Sequence, residues 1–150
     1  VVLARIYLQR GDFSAVETVL ASGLEARPGY GPFVVLMARV LMEQKRNRDA
    51  LVLLKKHENK LKTDIGFLSL LAPLLPREGS HTEAVSVFGA LLRYDENNAQ
   101  WWIGQAISLE ALGKQQEALQ AYLRARRVPQ IDARLMTYAN DRIAQLREMR

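Results

Sequence analysis

Four alanines in this chain keep one spacing: Ala4, Ala38, Ala72 and Ala106 each follow the last by 34 residues. The same step joins Val16, Ala50, Ala84 and Ala118, and then Leu20, Leu54, Phe88 and Tyr122. It also joins Tyr7, Leu41, Leu75 and Leu109, with Gly11, Lys45, Gly79 and Gly113 as a further row. One row of small residues could arise by chance. Several rows in one register make a repeat. A unit with two small-residue positions can stack closely on its neighbours, and the stack buries apolar stripes that no single unit could.

Within each unit the apolar spacing reads as two amphipathic helices around a tight turn. Glycine suits that turn because a positive φ costs it no Cβ clash. Lys45 would be strained there, so the second turn is expected to differ. Helices are expected near 1–9 and 13–26, 31–44 and 47–60, 65–77 and 81–94, and 98–111 and 115–127. A last helix is expected over about 131–148. The units run about 1–30, 31–64, 65–98 and 99–132, all within one domain. Pro73 is expected to kink the fifth helix or end it early before a loose turn, exposing Leu70 to Leu75. Continuing the register puts Asn140 in the alanine row. That suits a terminal helix with a polar outer face of Arg134, Asp141, Arg142, Gln145 and Arg147.

The last unit carries Trp102, Ala106, Leu109, Gly113, Ala118, Tyr122 and Ala125, with Pro129 close behind. The first keeps Ala4, Tyr7, Gly11, Leu20 and Pro28, and acid-alanine-aliphatic triplets start at Asp49, Glu83 and Glu117. This set resembles the tetratricopeptide repeat family over roughly residues 1–132. Val16 departs from it, as do His57, where a small residue is usual, and the missing prolines of units two and three. The resemblance implies an all-α, right-handed α-solenoid of about four helix-turn-helix units plus a C-terminal capping helix. It implies protein binding without enzymatic chemistry, in a concave groove lined by the first helices. Arg5, Val35, Leu36, Arg39, Met42, Leu70, Pro73, Ile103 and Ile107 are the expected lining. Family members that capture acidic peptide C-termini use a set of Lys, Asn and Arg there. Val35, Ser69 and Ile103 stand where its polar members would be. The groove is therefore expected to take a segment with apolar side chains, with one carboxylate near Arg5 and Arg39. The alternative is that Leu36, Leu70 and Ile103 pack against neighbouring first helices. Trp102 falls on the family's core aromatic position, and Trp101 is left between packing and half exposure.

Composition narrows the remaining classes. The chain has 150 residues, no Cys and a formal charge of +5. Disulfides, thiol nucleophiles and Cys-based zinc sites are excluded together. His57 and His81 have no metal-ligand spacing, "PGYGP" (28–32) reads as a turn, and no cofactor is expected. No run reaches the ~20 apolar residues of a membrane helix. Residues 121–150 hold seven Arg against three acids, but without interleaved aromatics nucleic-acid binding ranks below protein binding. The chain opens within a helical pattern and without Met, and so reads as a fragment of a longer protein.

Two stretches, 97–126 and 138–146, are similar to the C-terminal end of biogenesis proteins of the mannose-sensitive haemagglutinin type IV pilus. That similarity implies a bacterial periplasmic domain, with a membrane anchor outside this sequence and pilus-assembly components as partners. The alternative is a cytoplasmic adaptor or secretion chaperone on the same scaffold.

Overall fold

The computed structural model describes residues 1–149 and contains helices and turns, with no strand among the described residues. Packing divides the chain into two compact units, Val1–Leu74 and Leu75 onward. The first holds α1 (Val2–Gln9), α2 (Phe13–Ala26), α3 (Gly31–Glu43), α4 (Asn47–Lys56), α5 (Glu58–Leu61) and α6 (Ile65–Leu74). The second holds a 3-10 turn (Pro76–Glu78), α7 (His81–Tyr94), α8 (Ala99–Ala111), α9 (Gln115–Arg126) and α10 (Ala133–Glu148).

The repeat rows are the core. Ala4, Ala38, Ala72 and Ala106 are fully buried, as are Val16, Ala50, Ala84 and Ala118. Leu20, Leu54 and Tyr122 are also fully buried, and Phe88 is 5% exposed. In the first unit Ala4, Val16, Leu20, Leu36 and Val40 make one cluster. In the second, Ile103, Ala106, Leu109, Ala118 and Tyr122 pack with Ala139, Ile143 and Leu146 of α10.

Each first-to-second turn is closed by the same two backbone bonds. The N–H groups of Asp12, Arg46, Ser80 and Lys114 donate to the carbonyls of Tyr7, Leu41, Leu75 and Leu109 at 2.8–3.0 Å. Those of Gly11, Lys45, Gly79 and Gly113 donate to Leu8, Met42, Pro76 and Glu110 at 2.9–3.1 Å. Both bonds need a left-handed residue between the helices. Gly11, Gly79 and Gly113 supply it at φ 72–76°, and Lys45 supplies it at 63°. The expectation of a different second turn is thus overturned. Lys45 projects into solvent, and two satisfied carbonyls offset its backbone strain.

A second row sits at the starts of the first helices. Asp64, Asn98 and Asp132, 34 residues apart, accept from the N–H groups of Phe67, Trp101 and Arg134 at 2.8–3.1 Å. Such caps stabilise a helix by about 1 kcal/mol each. Tyr30 occupies the corresponding place before α3, where Pro32 lies in the first turn instead.

Three expectations change in detail. The helix expected over 47–60 breaks at His57 (ψ 8°) into α4 and α5. The imidazole lies against the Gly29 turn, where a Cβ would be 3.5 Å from Nδ1. A ring there cannot nest as a small residue would.

Pro73 does end α6 early, at Leu74. However, the turn that follows is closed rather than loose, and Leu71, Ala72, Leu74 and Leu75 are buried. Leu70 is half-buried and Pro73 exposed.

Finally, Asn140 is exposed and Ala139 takes the alanine place with no exposure. α10 seats its own apolar stripe of Leu135, Ala139, Ile143 and Leu146, because turning Asn140 inward would bury a carboxamide without partners. Arg134, Asp141, Gln145 and Arg147 do face outward, while Arg142 is half-buried.

Replacing Lys45 by Gly should raise stability by about 1 kcal/mol, from relief of the left-handed strain. Chemical denaturation with an unchanged m-value would confirm it. Gly104 makes the opposite case. A Cβ there would lie 2.4–2.9 Å from the Phe88 ring, so Gly104→Ala should cost roughly 1–3 kcal/mol. The loss should shrink in a Phe88→Leu background, a coupling that a double-mutant cycle reads directly.

Candidate functional site

The nine expected lining residues fall into two groups. In the first unit Arg5 and Arg39 are exposed on α1 and α3, and neither has an ion-pair partner among the described residues. Val35, Met42 and Leu70 are half-buried, and Pro73 is exposed. Leu36 is 8% exposed and belongs to the core cluster. In the second unit Ile107 is 38% exposed, whereas Ile103 is 5% exposed and packs in the core. The packing alternative therefore holds for Leu36 and Ile103, which are withdrawn from the lining.

Beside Ile107 the α8 face is closed by an ion pair. Arg142 of α10 reaches Glu110 through Nε at 3.0 Å and Nη2 at 2.8 Å. Both side chains are largely covered, at 27% and 19% exposure. The hydrogen bond from Glu110 raises the Arg142 pKa further. Under this pair the Tyr122 hydroxyl is buried without a hydrogen-bond partner. Burial holds that phenol neutral, far above its ordinary titration range.

A second surface, which sequence reasoning missed, surrounds Trp102. Three adjoining hollows of about 610, 470 and 180 Å³ share Trp102 and Arg124. They follow a groove between α7 and α9 with α8 as its floor. Trp102 is half-buried, packs on the second core, and donates its indole N–H to the Glu96 carbonyl at 2.8 Å. Core packing, as the family pattern implies, is thus only half of its surroundings. Arg124 lies 5.0 Å over its ring and 3.6 Å from the Glu96 carboxylate. Gln105, from the floor, donates to the Val85 carbonyl at 3.3 Å. Tyr94 stands 69% exposed at the rim. The signal that could have found this groove is the pairing of Trp102 with the solvent-facing Arg124 across neighbouring helices.

The C-terminal arginines are dispersed among separate partners. Arg124 turns to Trp102 and Glu96, Arg126 to Asn140, and Arg142 to Glu110; Arg150 lies outside the described residues. No group of three or more metal-ligating side chains forms among the described residues. His81 Nδ1 stands 3.4 Å from the Ser108 hydroxyl, but Ser108 is fully buried and no substrate can reach it. No described helix is long and apolar enough to cross a membrane.

Models of the tetratricopeptide repeat match residues 7–74 and 70–130, which together span most of the chain. The chain belongs to the tetratricopeptide repeat family. No curated protein sequence matches it. Solved structures resemble it closely in fold. A MamA crystal structure superposes with a TM-score of 0.81 at 16% identity, covering 97% of this chain and 81% of that one. MamA from Desulfovibrio magneticus RS-1 gives 0.80 at 11% identity, over 98% and 90%. YrrB, described as a TPR protein with an unusual peptide-binding site, gives 0.78 at 20% identity, over 92% and 71%. Proteins of this family are typically non-enzymatic interaction scaffolds.

His57 supplies a test of the repeat's one broken helix. Burial, then Lys56 and Lys60, lower its pKa below the ordinary 6.5. A group whose folded pKa is depressed in this way favours the neutral form in the fold. Its contribution is complete above pH 6.5 and is lost as pH falls from there through the folded pKa. The thermal midpoint should therefore drop between pH 6.5 and about 5. A His57→Asn variant should drop less over the same range, and parallel melting curves of the two proteins would count against this assignment.

Proposed function

We propose that this tetratricopeptide repeat chain is a non-enzymatic scaffold that holds a segment of a partner protein against the first-helix face. Arg5 and Arg39 receive a carboxylate, and Val35, Met42, Leu70 and Pro73 receive apolar side chains. Ile107 offers a separate apolar contact on α8. One observation carries the reading: two guanidinium groups at equivalent repeat positions stand exposed and unpaired beside half-buried apolar side chains. Paired arginines suit carboxylate recognition because each presents a fixed fork of donors.

The finer reading places the scaffold in assembly of a bacterial type IV pilus or a related secretion machine, on the periplasmic side of the inner membrane. Its support is the similarity of residues 97–126 and 138–146 to the pilus biogenesis proteins. The peptide-binding description of YrrB supports the general role only.

The test compares capture from a source-cell membrane extract by the domain and by its Arg5→Glu/Arg39→Glu variant, read by mass spectrometry. Reversing both charges should reduce partner recovery about tenfold or more while helicity is unchanged. Recovery of pilus or secretion components by the unmutated domain alone would support both readings. Equal recovery would remove Arg5 and Arg39 from the site, and cytosolic clients would favour an adaptor.

A further inference from the structure

We propose that the groove around Trp102 is a second peptide-binding site, one that takes an extended acidic segment carrying alternate apolar side chains. It rests on the scaffold reading for its general role but uses none of the same residues.

Its composition is that of a protein interface. Trp, Tyr and Arg dominate the anchoring positions of such interfaces, and here Trp102, Tyr94, Arg93 and Arg124 line one hollow. Trp102 is immobilised by its own N–H bond and by the core beneath, so a partner loses little entropy in fixing it. Gly89 keeps the α7 wall low: a side chain there would begin 3.5 Å from Gln105 Nε2 and 3.8 Å from an Arg93 nitrogen.

Charge selects the segment. Arg93 and Arg124 both face solvent. The Arg124–Glu96 pair is long, at 3.6 Å, with 52% and 70% of the two side chains exposed. Such a pair holds its arginine weakly, and an incoming carboxylate can replace Glu96. The guanidinium is already placed over the indole, which leaves donors for a carboxylate. Asn97, in the same hollow, and Gln120, in the next along the groove, carry carboxamides. Each can donate to and accept from a peptide backbone.

Asp95 and Glu96 at the rim disfavour a polyphosphate strand. Stacking on Trp102 would suit single-stranded nucleic acid, but those carboxylates would face its backbone.

The experiment titrates the domain with short fluorescein-labelled peptides in which Phe or Leu alternates with Glu. Matched peptides carry Lys for Glu or Ser for the apolar residues, and labelled oligothymidylate serves as the nucleic-acid probe. Anisotropy gives affinity, and the Trp102 indole N–H cross-peak in a nitrogen-15 spectrum reports the site. The acidic-apolar peptides should bind with Kd below ~100 μM and move that cross-peak. Arg93→Glu and Arg124→Glu should each weaken binding about tenfold with unchanged helicity. Arg5→Glu/Arg39→Glu should leave it intact, so failure here and failure of the first-helix site are separable. Equal binding of the Lys peptides, an unmoved cross-peak, no saturation by ~1 mM, or preference for oligothymidylate would each overturn the proposal.

Discussion

The hydrogen bond from Asp12, Arg46, Ser80 and Lys114 back to Tyr7, Leu41, Leu75 and Leu109 is the constraint from which the rest follows. It stops each first helix, turns the chain through a left-handed residue and sets where the second helix starts. With that angle held, the two small positions of a unit face each other. Any residue much larger than Ala or Val would push the helices apart. All eight positions are accordingly sealed from solvent, and the large Leu20, Leu54, Phe88 and Tyr122 fill the space that remains. Phe88 shows how tight this is, since its ring occupies the volume that a side chain on Gly104 would need.

Helices held this way expose other faces that carry no stacking duty. On α1 and α3 the exposed positions include Arg5 and Arg39, while Leu36, only three residues from Arg39, is drawn into the core. One turn of helix thus separates a packing residue from a free one. On α8 the same division puts Ile103 inside and Ile107 at the surface, with the Glu110–Arg142 pair beside it. α10 contributes Arg142 to that pair because its face is set by Leu135, Ala139, Ile143 and Leu146 rather than by strict continuation of the repeat.

The repeat was legible because equivalent places demand equivalent side-chain volumes, and volume is visible in residue type. What a backbone will tolerate is less visible. Lys45 adopts the left-handed turn because the bonds around it outweigh its own preference, which residue type alone does not disclose. The cap row of Asp64, Asn98 and Asp132 was present at the same spacing but carries no hydrophobic signal, so an apolar search passes over it. Asn140 shows the limit of extrapolating a period: a terminal helix packs on one side only, and it can rotate to suit its own stripe. Trp102 was legible as an aromatic of the core, but its second role depends on Arg124, Glu96 and Tyr94, which reach it from other elements.

The two candidate surfaces differ in how they were freed. Arg5 and Arg39 are repeat-equivalent, so a ligand reading both must match the 34-residue unit in space, as an extended segment does. The Trp102 groove has no counterpart in the other units, because residues 34 before Trp102 and Arg124 are Leu68 and Ala90. Leu68 is 6% exposed, and Ala90 has neither charge nor reach. Repetition therefore supplies the wall and floor of that groove. The chemistry within it comes from substitutions peculiar to the last unit, and specificity requires such local departures, since a surface identical in every unit could not hold one segment in one register.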